Sequence, residues 1–167
     1  YKRAVQQAVS LFQFLKNKED ASLAPVFTPL LGPLDEAARG LILRRLQDHV
    51  PADRNLQREF FRPEMKDLST GEANVHRRQA SNLERTLIDQ NGLMPIGLLR
   101  WCLHYVQTRR RIGGVFEAVR NSFEGISKPK LLAVLDSIYK FRNEYIAHQE
   151  RELNDANMAK AAFQIWV

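Results

Sequence analysis

The stretch SKPKLLAVLDSIYKFRNEYIAHQEREL, residues 127–153, has the pattern of one long helix with a single buried face. Its first half places Leu131, Leu135 and Ile138 at spacings of three and four residues, which is typical of an amphipathic helix. Ser127 precedes the pattern and is suited to cap the helix. Because similar helical spacing recurs along the rest of the chain, the sequence predicts an all-α fold.

The apolar face turns polar in the second half of this helix. Continued at about 100° per residue, it reaches Arg142 and then Tyr145, Gln149 and Glu152. A guanidinium that leaves water without a partner is strongly disfavoured, so Arg142 should meet an anion or several acceptors. His148 follows at the edge of the same face. These residues predict a small polar site where a hydrophobic core could have continued.

A purely structural interpretation of the same residues is also open. A single arginine on a helix often extends its charged end to the surface, and a single histidine is commonly structural. Glu144 and His148 have the i,i+4 spacing of a surface ion pair. Spacing alone therefore fits either a functional site or a structural network.

The string Arg142-Asn143-Glu144-Tyr145-Ile146-Ala147-His148 resembles the signature of the HEPN superfamily, the higher eukaryotes and prokaryotes nucleotide-binding domains. That signature is an arginine, usually followed by a polar residue, and then a histidine after four to six intervening residues. Here five residues intervene and Asn143 has the polar position. The strong part of the match is confined to residues 140–149, and the long predicted helix is compatible with it.

The resemblance implies a metal-independent endoribonuclease that cleaves single-stranded RNA without a cofactor. The ribose 2′-hydroxyl attacks the neighbouring phosphate and leaves a 2′,3′-cyclic phosphate. His148 would be the general base, because the pKa of an ordinary histidine side chain is about 6.5. Arg142 would hold the scissile phosphate. Asn143 would be the third catalytic residue, and three neighbours would support the site: Tyr145, Glu144 and Gln149.

The resemblance also implies a homodimer formed through the motif helix, residues 127–153. On an ideal helix Arg142 and His148 point about 120° apart, so a facing copy or a kink is needed to bring them together. A defence or toxin role within a larger prokaryotic nucleic-acid protein is the implied setting. The competing class is a non-catalytic module for dimerisation or nucleic-acid binding, attached to a larger nucleic-acid enzyme.

The chain has 167 residues, which fits a single helical domain, residues 1–167, of five to seven HEPN-like helices. Tyr1 stands first and both ends lie in helical patterns, so we expect a fragment of a longer chain. No membrane span or signal peptide is predicted. The single cysteine, Cys102, favours an intracellular setting, and we expect a cytoplasmic protein.

The formal net charge of +6 favours polyanionic partners, RNA or DNA. Two arginine clusters are candidates for nucleic-acid binding: Arg109, Arg110 and Arg111, which follow Trp101 and Tyr105, and Arg77 with Arg78. The alternative is that these clusters are solvated helix ends.

The remaining helices are predicted from periodicity and from start and stop signals. Three prolines between residues 20 and 33 predict a loop or a broken helix, too apolar to be a free linker. Ser69 and Glu72 have capping-box spacing. The predicted helices cover residues 2–18, 33–49, 52–61, 70–90 and 95–111. Residues 115–123 are either a short helix or the continuation of the preceding helix past a kink, and Asn154 or Asp155 caps a last helix that ends at Trp166.

Other chemistries have weaker support. Glu64 and Lys66, with Asp48 upstream, resemble the spacing of metal-dependent nucleases, but that site needs adjacent strands. The four histidines lack zinc-ligand spacing, so no metal site is predicted. No phosphate-binding glycine loop is present. A Ser/His/Asp triad stays open, although no Gly-x-Ser-x-Gly motif indicates one.

Overall fold

A computed structural model of the chain describes residues 1–18, 21–62, 68–89, 95–108, 114–147 and 152–166. Over these ranges the chain is all-helical and has no strand, which confirms the predicted class. The described ranges contain eight α-helices, one more than the highest number predicted: α1 (Lys2–Leu15), α2 (Thr28–Leu46), α3 (Arg54–Phe60), α4 (Thr70–Ile88), α5 (Pro95–Thr108), α6 (Val115–Ser122), α7 (Lys128–Phe141) and α8 (Ala156–Trp166). None of these helices is long and apolar enough to cross a membrane.

Residues 1–36 and 133–167 form one compact unit, and residues 37–132 form another. In the first unit, α1 packs against a 3-10 turn at Ala24–Phe27, and this turn packs against the motif segment Arg142–Ala147. In the second unit, α5 packs against both α4 and α6. The expectation of one domain over residues 1–167 stays a prediction.

The proline-rich segment folds differently from the prediction. Helix α2 begins at Thr28, five residues before the predicted start at Pro33, so Pro33 lies inside the helix. An interior proline costs about 3 kcal/mol or more. Val26, Phe27 and Leu30 are almost fully buried, and burial of each such side chain contributes about 1.5–3 kcal/mol. Packing of these residues therefore outweighs the cost of the proline.

Helix caps were predicted well because they depend on local residues. The Ser69 Oγ accepts a hydrogen bond from the Glu72 backbone N–H at 3.4 Å, and a Glu72 carboxylate oxygen accepts one from the Ser69 N–H at 3.0 Å. This reciprocal pair is the predicted capping box. The Asp155 carboxylate likewise accepts from the backbone of Asn157 and Met158 at the start of α8.

Gly114 has a position that only glycine can occupy. Its φ of +57° lies in the left-handed region, at the residue before α6. A Cβ added there would also collide with the backbone carbonyl of Phe60. The glycine therefore permits both the turn into α6 and the close approach of α3 to it.

The only cysteine, Cys102, lies in the core of the second unit on α5 and is 1% exposed. Burial raises the pKa of its thiol far above the ordinary value. An unfolded thiol loses its proton above about pH 8.5, whereas the folded one keeps it. The free energy of unfolding should therefore be insensitive to this thiol below that pH, and should fall by up to about 1.4 kcal/mol per pH unit above it.

Urea unfolding of the wild type and of Cys102→Ala between pH 7 and pH 10 measures this contribution. It is the difference between the two proteins in the slope of the free energy of unfolding against pH. We also expect the native thiol to react much more slowly with a thiol reagent than the unfolded one. Equal reaction rates in the two states would contradict the buried position of Cys102.

Candidate functional site

The motif segment departs from a regular α-helix. Helix α7 ends at Phe141, and residues Arg142–Ala147 form a π-helical turn. The prediction of one α-helix over residues 127–153 is therefore correct only as far as Phe141, and residues 152–155 are not helical. In a π turn each N–H bonds the carbonyl five residues earlier, so the turn is wider, and such turns occur frequently at functional sites.

A cluster of aromatic rings in the first unit holds this turn in place. The Phe141 ring centroid lies 4.7 Å from that of Phe27 and 4.9 Å from that of Tyr145. Phe27 is fully buried and lies 5.1 Å from Trp166. Such pairs contribute about 0.5–1.5 kcal/mol each beyond the burial of their area. We call these four residues, together with Phe163, the ring cluster.

Arg142 lies on the π turn directly after Phe141 and is partly buried. Its Nη1 atom is buried and has no hydrogen-bond partner among the residues that the structure describes. The sequence predicted that this guanidinium leaves water, and this holds for its Nη1 atom. It also predicted acceptors for the arginine, and for Nη1 none is present in the described ranges. A buried donor of this kind is costly unless an acceptor reaches it.

The neighbours of Arg142 differ in their surroundings. Asn143 is half-buried, and Tyr145 is 8% exposed because its ring joins the ring cluster. Glu144 lies 3.9 Å from Lys140, whose side chain is largely exposed, so this ion pair contributes little to stability. The predicted partners of these residues, His148 and Gln149, lie outside the described residues.

A cleft of about 310 Å³ adjoins the motif, and we call it the motif cleft. One side is formed by residues of the π turn and by Glu152, and the other by the 3-10 turn and its flanks. The lining residues are Ala24, Pro25 and Ile146, the hydroxyl-bearing Ser22, Thr28 and Tyr145, and the carboxylate-bearing Glu152. A backbone hydrogen bond of 2.7 Å from Leu23 to Leu153 links the chain segments on the two sides.

The arginine clusters belong to the second unit. Arg77 and Arg78 are exposed on α4, and Arg77 donates a hydrogen bond to Asn74 at 3.2 Å. Their exposure suits contact with a polyanion or simple solvation, so both interpretations stand. Arg109, Arg110 and Arg111 lie outside the described residues.

The aromatic residues before these arginines do not form an open stacking surface. Tyr105 is 2% exposed, and its ring lies 4.3 Å from that of Phe116 and 5.4 Å from that of Trp101. Trp101 is partly buried and also contacts Phe116. Tyr105 is therefore a core residue of the second unit, and its ring is not available to stack on nucleic-acid bases.

A serine and a histidine meet in the second unit, although no sequence motif indicated it. The Ser122 Oγ lies 3.0 Å from His49 Nε2, and Arg45 donates to the Ser122 carbonyl at 3.1 Å. Ser122 is the last residue of α6, so the two basic side chains complement the carbonyl end of that helix. In these surroundings the contact between Ser122 and His49 is part of a helix cap.

Metal chemistry has no further support in the described ranges. They contain no group of three or more His, Cys, Asp or Glu side chains placed to hold an ion. Glu64 and Lys66, the pair considered for a metal-dependent nuclease, lie outside them.

The residues that sequence reasoning missed are those across the cleft from the motif. Ser22 and Thr28 lie far from the motif along the chain, and no spacing rule connects them to it. The usable signal was the apolar pair Val26-Phe27 between two prolines, which predicted packing of this segment on the rest of the protein. Phe27 is indeed the central ring of the ring cluster.

Comparisons of the chain with protein families, with characterised proteins and with solved structures found no match. The resemblance to the HEPN signature therefore rests on residues 140–149 alone.

Proposed function

We propose that this chain is a metal-independent endoribonuclease of the HEPN type that cleaves single-stranded RNA. The proposal rests chiefly on the Arg142 guanidinium, whose Nη1 is buried and has no hydrogen-bond partner in the described ranges. A partly desolvated guanidinium forms strong bonds to phosphate oxygens because little water competes for it. Its position on a π turn, within the Arg-Asn-x4-His string, supports the same site.

The proposed reaction needs one cation and one proton acceptor. The ribose 2′-oxygen bonds to the neighbouring phosphorus as the bond from phosphorus to the 5′-oxygen breaks. His148 takes the proton of the 2′-hydroxyl, the departing 5′-oxygen takes a proton from water, and His148 then returns its proton to the solvent. Arg142 stabilises the charge that builds up on the phosphate oxygens in the transition state. Asn143 orients these groups, and the ring contact with Phe141 fixes Tyr145 on the same π turn as Arg142.

The proposed active form is a homodimer through the motif segment, so that two Arg/His sets face one substrate. This part of the proposal rests on the family resemblance. A monomer with full ribonuclease activity in solution would contradict it.

The second candidate is a non-catalytic module that binds nucleic acid or mediates dimerisation. The same Arg142 observation supports it, because a desolvated guanidinium can hold a backbone phosphate without cleaving the chain. The exposed Arg77 and Arg78 would then be a separate candidate contact to the nucleic-acid backbone, in the second unit.

One experiment separates the two candidates. Purified wild type, Arg142→Ala and His148→Ala are each incubated with labelled single-stranded RNA in the presence of EDTA. We expect the wild type alone to cleave. Binding without cleavage by all three proteins would support the module instead, and cleavage that disappears with EDTA would support a metal-dependent nuclease.

A further inference from the structure

The motif cleft has the size and the lining of a site for a single nucleotide base. Its volume of about 310 Å³ is at the lower end of small-molecule pockets, which hold about 300–1,000 Å³. Tyr145, Ile146 and Pro25 give it apolar surface on both sides. Apolar surface next to groups that can hydrogen-bond is the usual surrounding of an unstacked base.

We propose that the motif cleft binds one guanine base of the RNA, and that the Glu152 carboxylate selects it. The inference deepens the proposed function, because it names the base that the same site would recognise. Arg142 lies on the same π turn as Tyr145 and Ile146, which line the cleft, so a base in the cleft lies close along the chain to the arginine that would hold its phosphate.

The choice of guanine follows from the hydrogen-bonding groups. A carboxylate only accepts hydrogen bonds, and guanine is the only common base with two adjacent donors, N1–H and the N2 amino group, on its pairing edge. Adenine, cytosine and uracil each place an acceptor next to their donor. A bidentate pair with Glu152 is therefore possible for guanine alone.

Neighbouring groups prepare the cleft for this ligand. Asn154 donates to one Glu152 oxygen at 3.1 Å, which restrains the carboxylate and leaves lone pairs on both oxygens. Ser22 Oγ accepts from the Ala24 N–H at 3.3 Å, so its own hydroxyl proton can be donated to a ligand. The Thr28 hydroxyl is a second donor in the lining. Both suit acceptors such as guanine O6 and N7.

The test is equilibrium binding of the four nucleoside 5′-monophosphates, measured by isothermal titration calorimetry. This measurement does not need RNA cleavage. We expect GMP to bind at least tenfold more tightly than AMP, CMP or UMP, because each of those can form only one bond to the carboxylate. Glu152→Gln should remove the preference, since an amide offers one donor and one acceptor. Glu124→Gln, which neutralises an exposed carboxylate in the second unit, should keep it.

Equal affinities for the four nucleotides, no binding of GMP, or a preference that survives Glu152→Gln would each overturn the inference. The outcome is separable from that of the proposed function. Cleavage without a guanine preference would leave the ribonuclease standing and exclude the guanine site. Selective binding of GMP by a protein that does not cleave RNA would support the guanine site and exclude the ribonuclease.

Discussion

Replacement of Arg142 by alanine is expected to lower the rate constant of RNA cleavage by about 10²–10³-fold, the usual loss when one group that stabilises a transition-state anion is removed. The guanidinium is partly desolvated on the π turn, so its interaction with developing negative charge is weakly screened. Single-turnover kinetics on a labelled oligonucleotide measure the effect. Because Arg142 acts mainly in the transition state, the loss should lie in the rate more than in RNA affinity.

Stability measurements distinguish this catalytic role from a structural one. The Arg142 Nη1 has no hydrogen-bond partner in the described ranges, so Arg142→Ala should change the free energy of unfolding by less than about 1 kcal/mol, or even raise it. Strong destabilisation by Arg142→Ala would instead show that Arg142 mainly stabilises the fold. Arg142→Lys should recover only part of the rate, because an ammonium is a point charge without the planar fork.

Arg58→Ala is the matched control for charge. Arg58 is exposed near the end of α3 in the second unit. Its loss removes the same charge from the protein and should leave the cleavage rate unchanged. An equal loss of rate in Arg58→Ala would show that the effect of Arg142→Ala comes from net charge alone.

Phe27→Ala is expected to destabilise the first unit by about 3–5 kcal/mol, the usual cost of removing a fully buried phenylalanine. Phe27 contacts three rings of the ring cluster, at 4.7 Å for Phe141, 5.1 Å for Trp166 and 6.5 Å for Phe163. Its loss leaves a cavity beneath the π turn. Urea unfolding followed by far-UV circular dichroism measures the change in midpoint.

Phe14→Ala is the matched control for this substitution. Phe14 belongs to the same unit but is 62% exposed on α1, where the Lys18 ammonium lies 3.9 Å from its ring centroid. We expect a change below about 1 kcal/mol for this surface position. Similar destabilisation by Phe27→Ala and Phe14→Ala would contradict the central position of Phe27.

The fold was predictable where its causes are local. The capping box at Ser69 depends on residues within one helical turn, so its spacing was sufficient. For the last helix the sequence left Asn154 and Asp155 as alternatives, and Asp155 forms the cap. The start of α2 was not predictable in this way. Pro33 is a strong local signal for a helix start, but burial of Phe27 and Leu30, decided by distant parts of the chain, places the start at Thr28.

The candidate site was predictable in part for similar reasons. The interrupted apolar face indicated that Arg142 leaves water, and this holds for its Nη1 atom. The π turn changes backbone hydrogen bonding without a signature in residue spacing, so the sequence allowed a kink in the motif segment but did not predict a π turn. The motif cleft brings Ser22 and Thr28 to Glu152 through folding alone, which pattern reasoning along one helix cannot reveal.

The most direct test of the proposed ribonuclease is the chemical identity of the new ends that the wild type leaves on RNA. Mass spectrometry of the fragments, obtained in EDTA, should find a 2′,3′-cyclic phosphate on the upstream piece and a 5′-hydroxyl on the downstream piece. An oligonucleotide with 2′-deoxyribose throughout should stay intact, since it lacks the nucleophile. Fragments with a 5′-phosphate, or cleavage of the deoxy substrate, would contradict attack by the 2′-hydroxyl.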